Sequence, residues 1–236
     1  FAILSKQGLH FSSGLWELIF KGVLFPIFDD VQHSYERNQE KIGQFVENID
    51  NKIPVVDTRI DAWLKSTCQD ALNGVVSLFF KKESFTLLNF LLCDLMQLLE
   101  NCIVHPNQVL ARKGVSCLKN LLLEAGSHFD TDTWDMISKR MYEICKRSIP
   151  YQLKCDDIIV SENEGHSLPN EPGSIMSSLR FSPRQVLSMC YVQLDMIAVI
   201  ENVIDKHWDN ISSKNIMLWL KMLKEMFSFA KEFNDN

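Results

Sequence analysis

The chain has 236 residues, of which 46% are hydrophobic and 23% charged, with 24 basic and 30 acidic side chains and a formal net charge of −6. This is the composition of an ordinary globular protein, and its negative balance argues against nucleic acid as a partner, because phosphate binding needs a basic surface. Seven prolines and nine glycines are too few for a sandwich of many short strands, so long helices are expected.

Apolar residues recur at helical spacing along most of the chain, and none of these segments shows strand alternation. The predicted helices lie at about 13–30, 58–82, 85–103, 106–125, 131–147, 183–206 and 213–233, with residues 1–7 as the end of an earlier helix. Pro26 falls inside the first and is expected to kink it. Long helices joined by short turns form antiparallel hairpins. The sequence therefore predicts an all-α fold, specifically an α-solenoid of HEAT or armadillo type that covers residues 1–236 as one domain.

The predicted helix N-termini share one capping motif, a hydrophobic staple in which the residue before the N-cap packs on the fourth helical residue. Its N-cap residues are Ser12, Asp130, Ser182 and, in a weaker form, Ser212. The first two starts match over a longer stretch, residues 8–19 against residues 126–137, at an offset of 118. An internal repeat is the preferred interpretation, and chance reuse of a good cap is the alternative.

Two polar segments, at about 32–57 and 151–181, separate the predicted helices. The second carries five acidic residues and few apolar ones, a composition typical of an unpacked connection. It is either a regulated loop or an insertion without a function of its own. The first residue, Phe1, is already part of an apolar run, so we interpret the chain as a piece of a longer protein.

The sequence offers little catalytic chemistry. It contains no metal-ligand spacing and no phosphate-binding glycine loop, so no cofactor is expected. The paired carboxylates Asp29-Asp30 and Asp156-Asp157 point apart as neighbours in sequence. His10 and His128 occupy equivalent repeat positions and are interpreted as structural. The segment from Leu87 to Val104 is too polar for a membrane span.

The seven cysteines are an odd number, and most lie at interior positions of helical patterns. Such residues behave as small apolar side chains, so we expect free thiols in a reducing compartment.

Basic residues occur in short pairs along the predicted helices. The pairs are Lys81-Lys82, Arg112-Lys113, Lys139-Arg140 and Lys146-Arg147. In a solenoid, equivalent helix positions form a ridge, so these pairs form either a basic stripe for an anionic membrane or acidic partner, or a solvated face.

The last predicted helix has two apolar faces, more than an edge helix needs to reach its own core. One face holds Ile216, Leu220, Leu223, Phe227 and Ala230, and the other holds Trp219, Met222, Met226, Phe229 and Phe233. The second face is predicted to bind a partner, since methionine and aromatic side chains adapt to varied surfaces. The alternative is that a further repeat of the intact protein covers it.

Two segments carry a family resemblance, WELIFKGVLFPIFDD at residues 16–30 and ARKGVSCL at residues 111–118. With Phe129, Trp134 and the exit at residues 148–150, they resemble the homology regions that follow the catalytic domain in large Arf guanine-nucleotide exchange factors of the brefeldin-A-inhibited, late-Golgi class. The resemblance extends over about residues 8–150 and fades in the final third.

The resemblance implies a non-catalytic regulatory module of such an exchange factor, since nothing in the sequence matches the loop that carries the family's catalytic glutamate. It also implies partners of Arf or Rab GTPase type or other domains of the same protein, a role in membrane recruitment or autoinhibition, and a cytoplasmic location on Golgi membranes. An independent HEAT or armadillo scaffold or transport adaptor, which binds peptides or helices in its groove, is the alternative.

Overall fold

The computed structural model describes residues 1–29, 33, 58–151 and 183–234. The helices are α1 (Ala2–Gln7), α2 (Ser13–Ile19), α3 (Thr58–Ser66), α4 (Cys68–Ser77), α5 (Lys82–Leu88), α6 (Leu92–Ile103), α7 (Gln108–Ala125), α8 (Thr131–Arg147), α9 (Pro183–His207) and α10 (Ser213–Asn234). Within these ranges there is no β-strand. The predicted all-α class is confirmed, and the predicted insertions at 32–57 and 151–181 lie outside the described residues except for His33 and Tyr151.

The described helices pack in two rows. We call α4 with α6, α7 with α8, and α9 with α10 the first, second and third layers of these rows. One row of contacts runs from α4 to α7 to α9, and a second row runs from α6 to α8 to α10. One continuous apolar core joins the layers. Two rows of packed helices are compatible with the predicted solenoid, and both the solenoid and its HEAT or armadillo class stay predictions.

The predicted helix caps form. Ser12 Oγ accepts a hydrogen bond from the Leu15 amide at 3.3 Å, and Asp130 Oδ1 accepts one from the Thr133 amide at 2.8 Å. The staples close as well, with 5.1 Å between the ring centroids of Phe129 and Trp134. A 3₁₀ turn precedes each cap, at Gly8–His10 and Gly126–His128. The two copies of the predicted repeat therefore share the same local structure. The third predicted cap, Ser182, lies outside the described residues.

The same arrangement recurs at the last hairpin. A 3₁₀ turn at Trp208–Asn210 leads into Ser212, whose Oγ accepts a hydrogen bond from the Asn215 amide at 3.3 Å. The weaker fourth helix start is therefore confirmed.

Pro26 changes the geometry of the helix ahead of it. Because proline lacks an amide hydrogen and its ring crowds the carbonyl four residues earlier, a regular α-helix cannot pass through it. Residues Phe20–Leu24 widen into a π-helical turn, in which the Phe25 amide donates to the Phe20 carbonyl at 2.9 Å. The helix restarts at Pro26 and is helical to residue 29, where the description ends. The predicted kink is thus realised as a π turn.

Two predicted helices are divided in the structure. The segment predicted as 58–82 forms α3 and α4 and ends at Ser77, whose hydroxyl donates to the Gly74 carbonyl at 2.8 Å. Such a side-chain bond competes with the helical ladder and favours termination. The segment predicted as 85–103 begins earlier, at Lys82, and contains the 3₁₀ turn Asn89–Leu91.

Two described segments, Lys82–Ile103 and Gln185–Asn210, are long and apolar enough by composition alone to cross a membrane. A core helix of a globular protein passes the same test, so this is weak evidence. The first segment is interrupted by the Asn89–Leu91 turn and contains Glu100, a buried carboxylate that binds two arginines.

Candidate interaction surfaces

The aromatic and methionine face of α10 lies inside the protein. Trp219, Met222 and Met226 are only 1%, 1% and 6% exposed, because α10 lays this face on α8. Phe229 is half-buried, with its ring centroid 5.7 Å from that of Tyr151. The side chain of Phe233 lies outside the described residues. A partner reaches the three buried side chains only if α10 separates from α8.

Another side of α10 carries exposed apolar residues. Met217, Leu220 and Phe227 are 65%, 54% and 69% exposed. Of the face predicted to hold Leu220 and Phe227, Ile216 and Leu223 are half-buried against the core, so this side of α10 is only partly exposed. Partner binding by the Trp219 face stays a prediction. The pattern alone does not decide which face is covered, since both faces are wide and apolar and only the position of α8 tells which is covered.

The arginines of three predicted basic pairs join the layers. Arg112 in α7 donates to Asp195 in α9 at 2.9 Å and lies 5.2 Å from the ring centroid of Tyr191. Asp195 and Tyr191 raise the pKa of this guanidinium. Arg140 and Arg147, both in α8, bind Glu100 of α6 instead. These three side chains are therefore already paired with carboxylates, although Arg112 and Arg147 are about half exposed.

Glu100 is a buried carboxylate at the centre of a polar network. Its side chain is 6% exposed, with Arg140 at 3.1 Å from Oε2 and Arg147 at 2.6 Å from Oε1. Arg140 also donates to Gln97 at 3.1 Å, and Gln97 donates to Asn101 at 3.0 Å. A buried carboxylate with two cationic partners is compensated, so the network fixes α8 against α6.

An open groove of about 500 Å³ lies between α7 and α9. Lys113 and Lys119 line it, together with the apolar side chains Val109, Val115 and Val199. We call it the lysine groove. Its acidic lining residue, Asp195, is already bound to Arg112, so the groove presents positive charge beside an apolar floor on a chain that is negative overall.

A second cavity, of about 390 Å³, lies where the ends of α6 and α8 meet the start of α9. Lys146 and Arg147 line it beside Ile149, Met189 and the buried Ser188. Two basic side chains line this cavity, as two lysines line the lysine groove. Here Arg147 is already paired with Glu100, so Lys146 supplies the remaining positive charge.

The six thiols that the structure describes are free, and four of them are buried. Cys68, Cys102, Cys117 and Cys145 are buried, Cys93 is exposed and Cys190 is intermediate. Burial raises the pKa of Cys68 to about 11 and that of Cys145 to about 12. These thiols are protonated near neutral pH and so are poor nucleophiles. Cys155 lies outside the described residues.

The histidines and paired carboxylates that the sequence analysis considered do not form a site among the described residues. Among the residues that the structure describes, no group of three or more His, Cys, Asp or Glu side chains is placed to hold a metal ion. His128 Nε2 lies 3.0 Å from the Phe80 carbonyl, which fits a structural role for this side chain. Asp29 is exposed, and its neighbour and the second acidic pair lie outside the description.

The residues that carry the family resemblance are packing residues. Gly114 lets α7 approach α6, since an added Cβ would lie 2.9 Å from Ile103 Cγ1. Cys117 is fully buried and donates to Asn73 at 3.3 Å. Phe28 is buried, with its ring centroid 6.1 Å from that of Trp63.

Comparison with known proteins shows that the chain is similar to large exchange factors. It is 28% identical to brefeldin A-inhibited guanine nucleotide-exchange protein 2 of Arabidopsis thaliana over 100% of the chain and 14% of the relative. It is 25% identical to the ADP-ribosylation factor guanine nucleotide-exchange factor sec72 of Schizosaccharomyces pombe over 100% of the chain and 13% of that protein. It is 34% identical to the exchange factor SEC7 of Saccharomyces cerevisiae over 58% of the chain and 6% of that protein.

The family model described as the BIG2 C-terminal domain matches residues 191–236. No solved structure matches the chain. The homologues are therefore large Arf guanine-nucleotide exchange factors, as the two sequence segments predicted. The resemblance was expected to fade in the final third of the chain, and this expectation is wrong. The likeness to the Arabidopsis and Schizosaccharomyces proteins takes in the whole chain, and the family model matches residues 191–236.

Proposed function

We propose that this chain is a non-catalytic regulatory and interaction module of a large Arf guanine-nucleotide exchange factor, which acts in vesicle trafficking at the cytoplasmic side of Golgi and trans-Golgi membranes. The observation that carries the proposal is the likeness of the whole chain to proteins named as exchange factors for ADP-ribosylation factor or as brefeldin A-inhibited exchange proteins. The chain spans 13–14% of the length of these two relatives.

Two features support a non-catalytic role. The matched family model is that of a C-terminal domain. Glu100 is a buried carboxylate whose two oxygens are both bound by arginines of α8. A catalytic group has to meet its substrate, and this carboxylate is closed off by its own arginines.

The lysine groove is the surface we propose for partner contact. Lys113 and Lys119 lie on α7 beside an apolar floor, which suits a protein surface that combines carboxylates with apolar side chains. GTPases of Arf or Rab type, or acidic segments of other domains of the same protein, are the proposed partners. Contact with anionic lipid is a weaker expectation, because arginines of the basic pairs are already bound to carboxylates.

The test is co-flotation of the chain with liposomes that carry Arf or Rab proteins in GTP-loaded or GDP-loaded form, with bare anionic liposomes as the reference. We expect capture by the GTP-loaded form and little by the other two. Capture by bare liposomes alone would indicate a lipid-binding surface, and no capture in any arm would favour the alternative of a scaffold for other proteins.

Two charge-reversal variants test whether the lysine groove is the binding surface. The variant Lys113→Glu/Lys119→Glu alters the groove, while Lys139→Glu/Lys224→Glu makes the same change in net charge at exposed positions of α8 and α10 that line neither cavity. We expect the first to lose capture and the second to keep most of it. Equal effects would indicate non-specific electrostatic attraction. Stimulation of nucleotide release by the isolated chain would overturn the non-catalytic assignment.

A further inference from the structure

The lysine groove is elongated along α7. Its lining residues on this helix extend from Gln108 to Lys119, and they are joined by Gln69 of α4 and by residues 195–199 of α9. The α7 positions 108, 112, 115, 116 and 119 have the spacing of one continuous helix face. At a rise of about 1.5 Å per residue, this face is about 16 Å long, or about three helical turns. The groove therefore suits a long, narrow ligand.

The groove has positive charge at two points and a low floor between them. Lys113 and Lys119 are six residues apart, which is about 9 Å along the axis of α7. The lining between and beside them consists of small or aliphatic side chains, namely Val115, Ser116, Ala198 and Val199. Both valines are buried, while Ser116 and Ala198 are exposed. Because the exposed side chains are small, a ligand can approach the valines closely.

The fold does not neutralise the two lysines. Among the described residues, no carboxylate forms an ion pair with Lys113 or Lys119. The acidic lining residue, Asp195, accepts hydrogen bonds from Arg112 at 2.9 and 3.4 Å. The chain as a whole has a net charge of −6, so the groove differs in sign from the protein that carries it. A complementary ligand supplies its own carboxylates.

The walls of the groove determine which secondary structure the ligand can have. They are α-helices, whose backbone amide and carbonyl groups bond within each helix, so the groove offers no strand edge. An extended peptide on the valine floor would leave some of its own backbone groups without partners, which costs free energy. A helix satisfies these groups internally and presents only side chains, as in other helix-in-groove complexes.

We propose that the lysine groove binds an acidic amphipathic helix of about three turns, which lies along α7. Two carboxylates seven residues apart are separated by about 10 Å along such a helix, within reach of the flexible side chains of Lys113 and Lys119. Apolar residues three and four positions after the first carboxylate lie on the same side of the helix and pack on Val115 and Val199. The partner of the proposed function contacts the groove through this helix, so the proposal rests on that function.

The test measures the binding of designed peptides to the 236-residue chain by fluorescence anisotropy. The probe is an alanine-based helical peptide of about 18 residues, with two glutamates seven residues apart and leucines at the third and fourth positions after the first glutamate. The composition control has its glutamates five residues apart, on different sides of the helix. A second control has proline at the centre, which breaks the helix. We expect the probe to bind at least about tenfold more tightly than either control.

Charge exchange assigns the binding to the groove. Lys113→Glu/Lys119→Glu should weaken binding of the probe at least about tenfold, whereas Lys139→Glu/Lys224→Glu, at exposed positions that line neither cavity, should change it less than about twofold. A peptide with lysines in place of the two glutamates should bind the groove variant more tightly than it binds wild type. A gain of binding cannot result from misfolding, so this measurement separates charge recognition from loss of structure.

Equal binding of the probe and the composition control would indicate non-specific attraction of negative charge, as at a lipid surface, and would overturn the proposal. Retained binding of the proline peptide, or no binding of the probe, would also overturn it. If GTP-loaded Arf is captured in the flotation experiment despite such a result, the proposed function stands and its partner uses a different contact. Probe binding without capture of any GTPase would support the helix site and reject GTPases as its ligand.

Discussion

The indole rings of Trp134 and Trp219 lie 6.3 Å apart between centroids, with their planes at 70°, and both side chains are almost fully buried. Trp134 belongs to the second layer and Trp219 to the third, so this edge-on contact fastens α10 to α8. Phe129, the staple residue of α8, continues the aromatic row at 5.1 Å from Trp134. The side chain predicted to meet a partner is therefore part of the interlayer core.

Truncation of Trp219 should destabilise the protein. We expect Trp219→Ala to lower the free energy of unfolding by about 3–5 kcal/mol, because a large buried ring is replaced by a cavity. Phe227→Ala is the matched control on the same helix, where a side chain that is 69% exposed should change stability by less than about 0.5 kcal/mol. Urea unfolding of the 236-residue chain measures both. Similar values for the two variants would show that α10 does not pack as described.

The Glu100 network should behave as a coupled unit. Either Arg140→Met or Arg147→Met leaves one guanidinium on the carboxylate, so each should cost about 1 kcal/mol of unfolding free energy. The double variant leaves a buried carboxylate without a cation. Its loss of unfolding free energy should exceed the sum of the two single losses by at least about 1 kcal/mol. A double-mutant cycle measures this coupling, and repeating it with Glu100→Gln should reduce the coupling to near zero. Additive losses would contradict the network.

The close approach of α6 and α7 depends on Gly114. An added Cβ would lie 2.9 Å from Ile103 Cγ1 and 3.1 Å from the Ile103 backbone nitrogen. We expect Gly114→Ala to cost about 1–3 kcal/mol, since the backbone of α6 has to move. Gly14→Ala in α2 meets nothing within 4 Å and should be neutral or stabilising by up to about 1 kcal/mol, because alanine favours helix. Thermal unfolding compares the pair, and a neutral Gly114→Ala would refute this packing.

The cap of α8 should make stability depend on pH. Hydrogen bonds from the Thr133 hydroxyl and amide lower the pKa of Asp130 below its ordinary value. The stabilisation is present above the pKa of the unfolded chain and is lost as the pH falls through the lower folded pKa. Asp130→Asn keeps the cap without the charge, so the two proteins should be similar at pH 7 and wild type should lose more stability at pH 3.

Asp130→Ala is the companion variant and should cost about 1 kcal/mol at pH 7, because it removes the acceptor altogether. Unfolding curves at both pH values provide the measurement. If wild type and Asp130→Asn lose the same amount of stability on acidification, the Asp130 carboxylate is not the cause of the pH dependence.

The features that the sequence predicted well are local ones. Caps and staples at Ser12 and Asp130 depend on residues within a few positions of one another, and so does the effect of Pro26. The covered side of α10 depends on where α8 lies, which no local pattern contains. For the same reason the arginines at 112, 140 and 147 look like free basic surface in the sequence. Their carboxylate partners, Asp195 and Glu100, lie 83, 40 and 47 residues away and become visible only when the layers stack.

The central claim, that this region acts by binding an activated GTPase, is tested most directly by equilibrium binding of Arf in solution. The chain is titrated with Arf loaded either with a non-hydrolysable GTP analogue or with GDP. The account predicts at least about tenfold tighter binding of the GTP form, and a loss of that difference in Lys113→Glu/Lys119→Glu. Equal affinity for the two nucleotide states, or binding that the groove variant leaves intact, would contradict it.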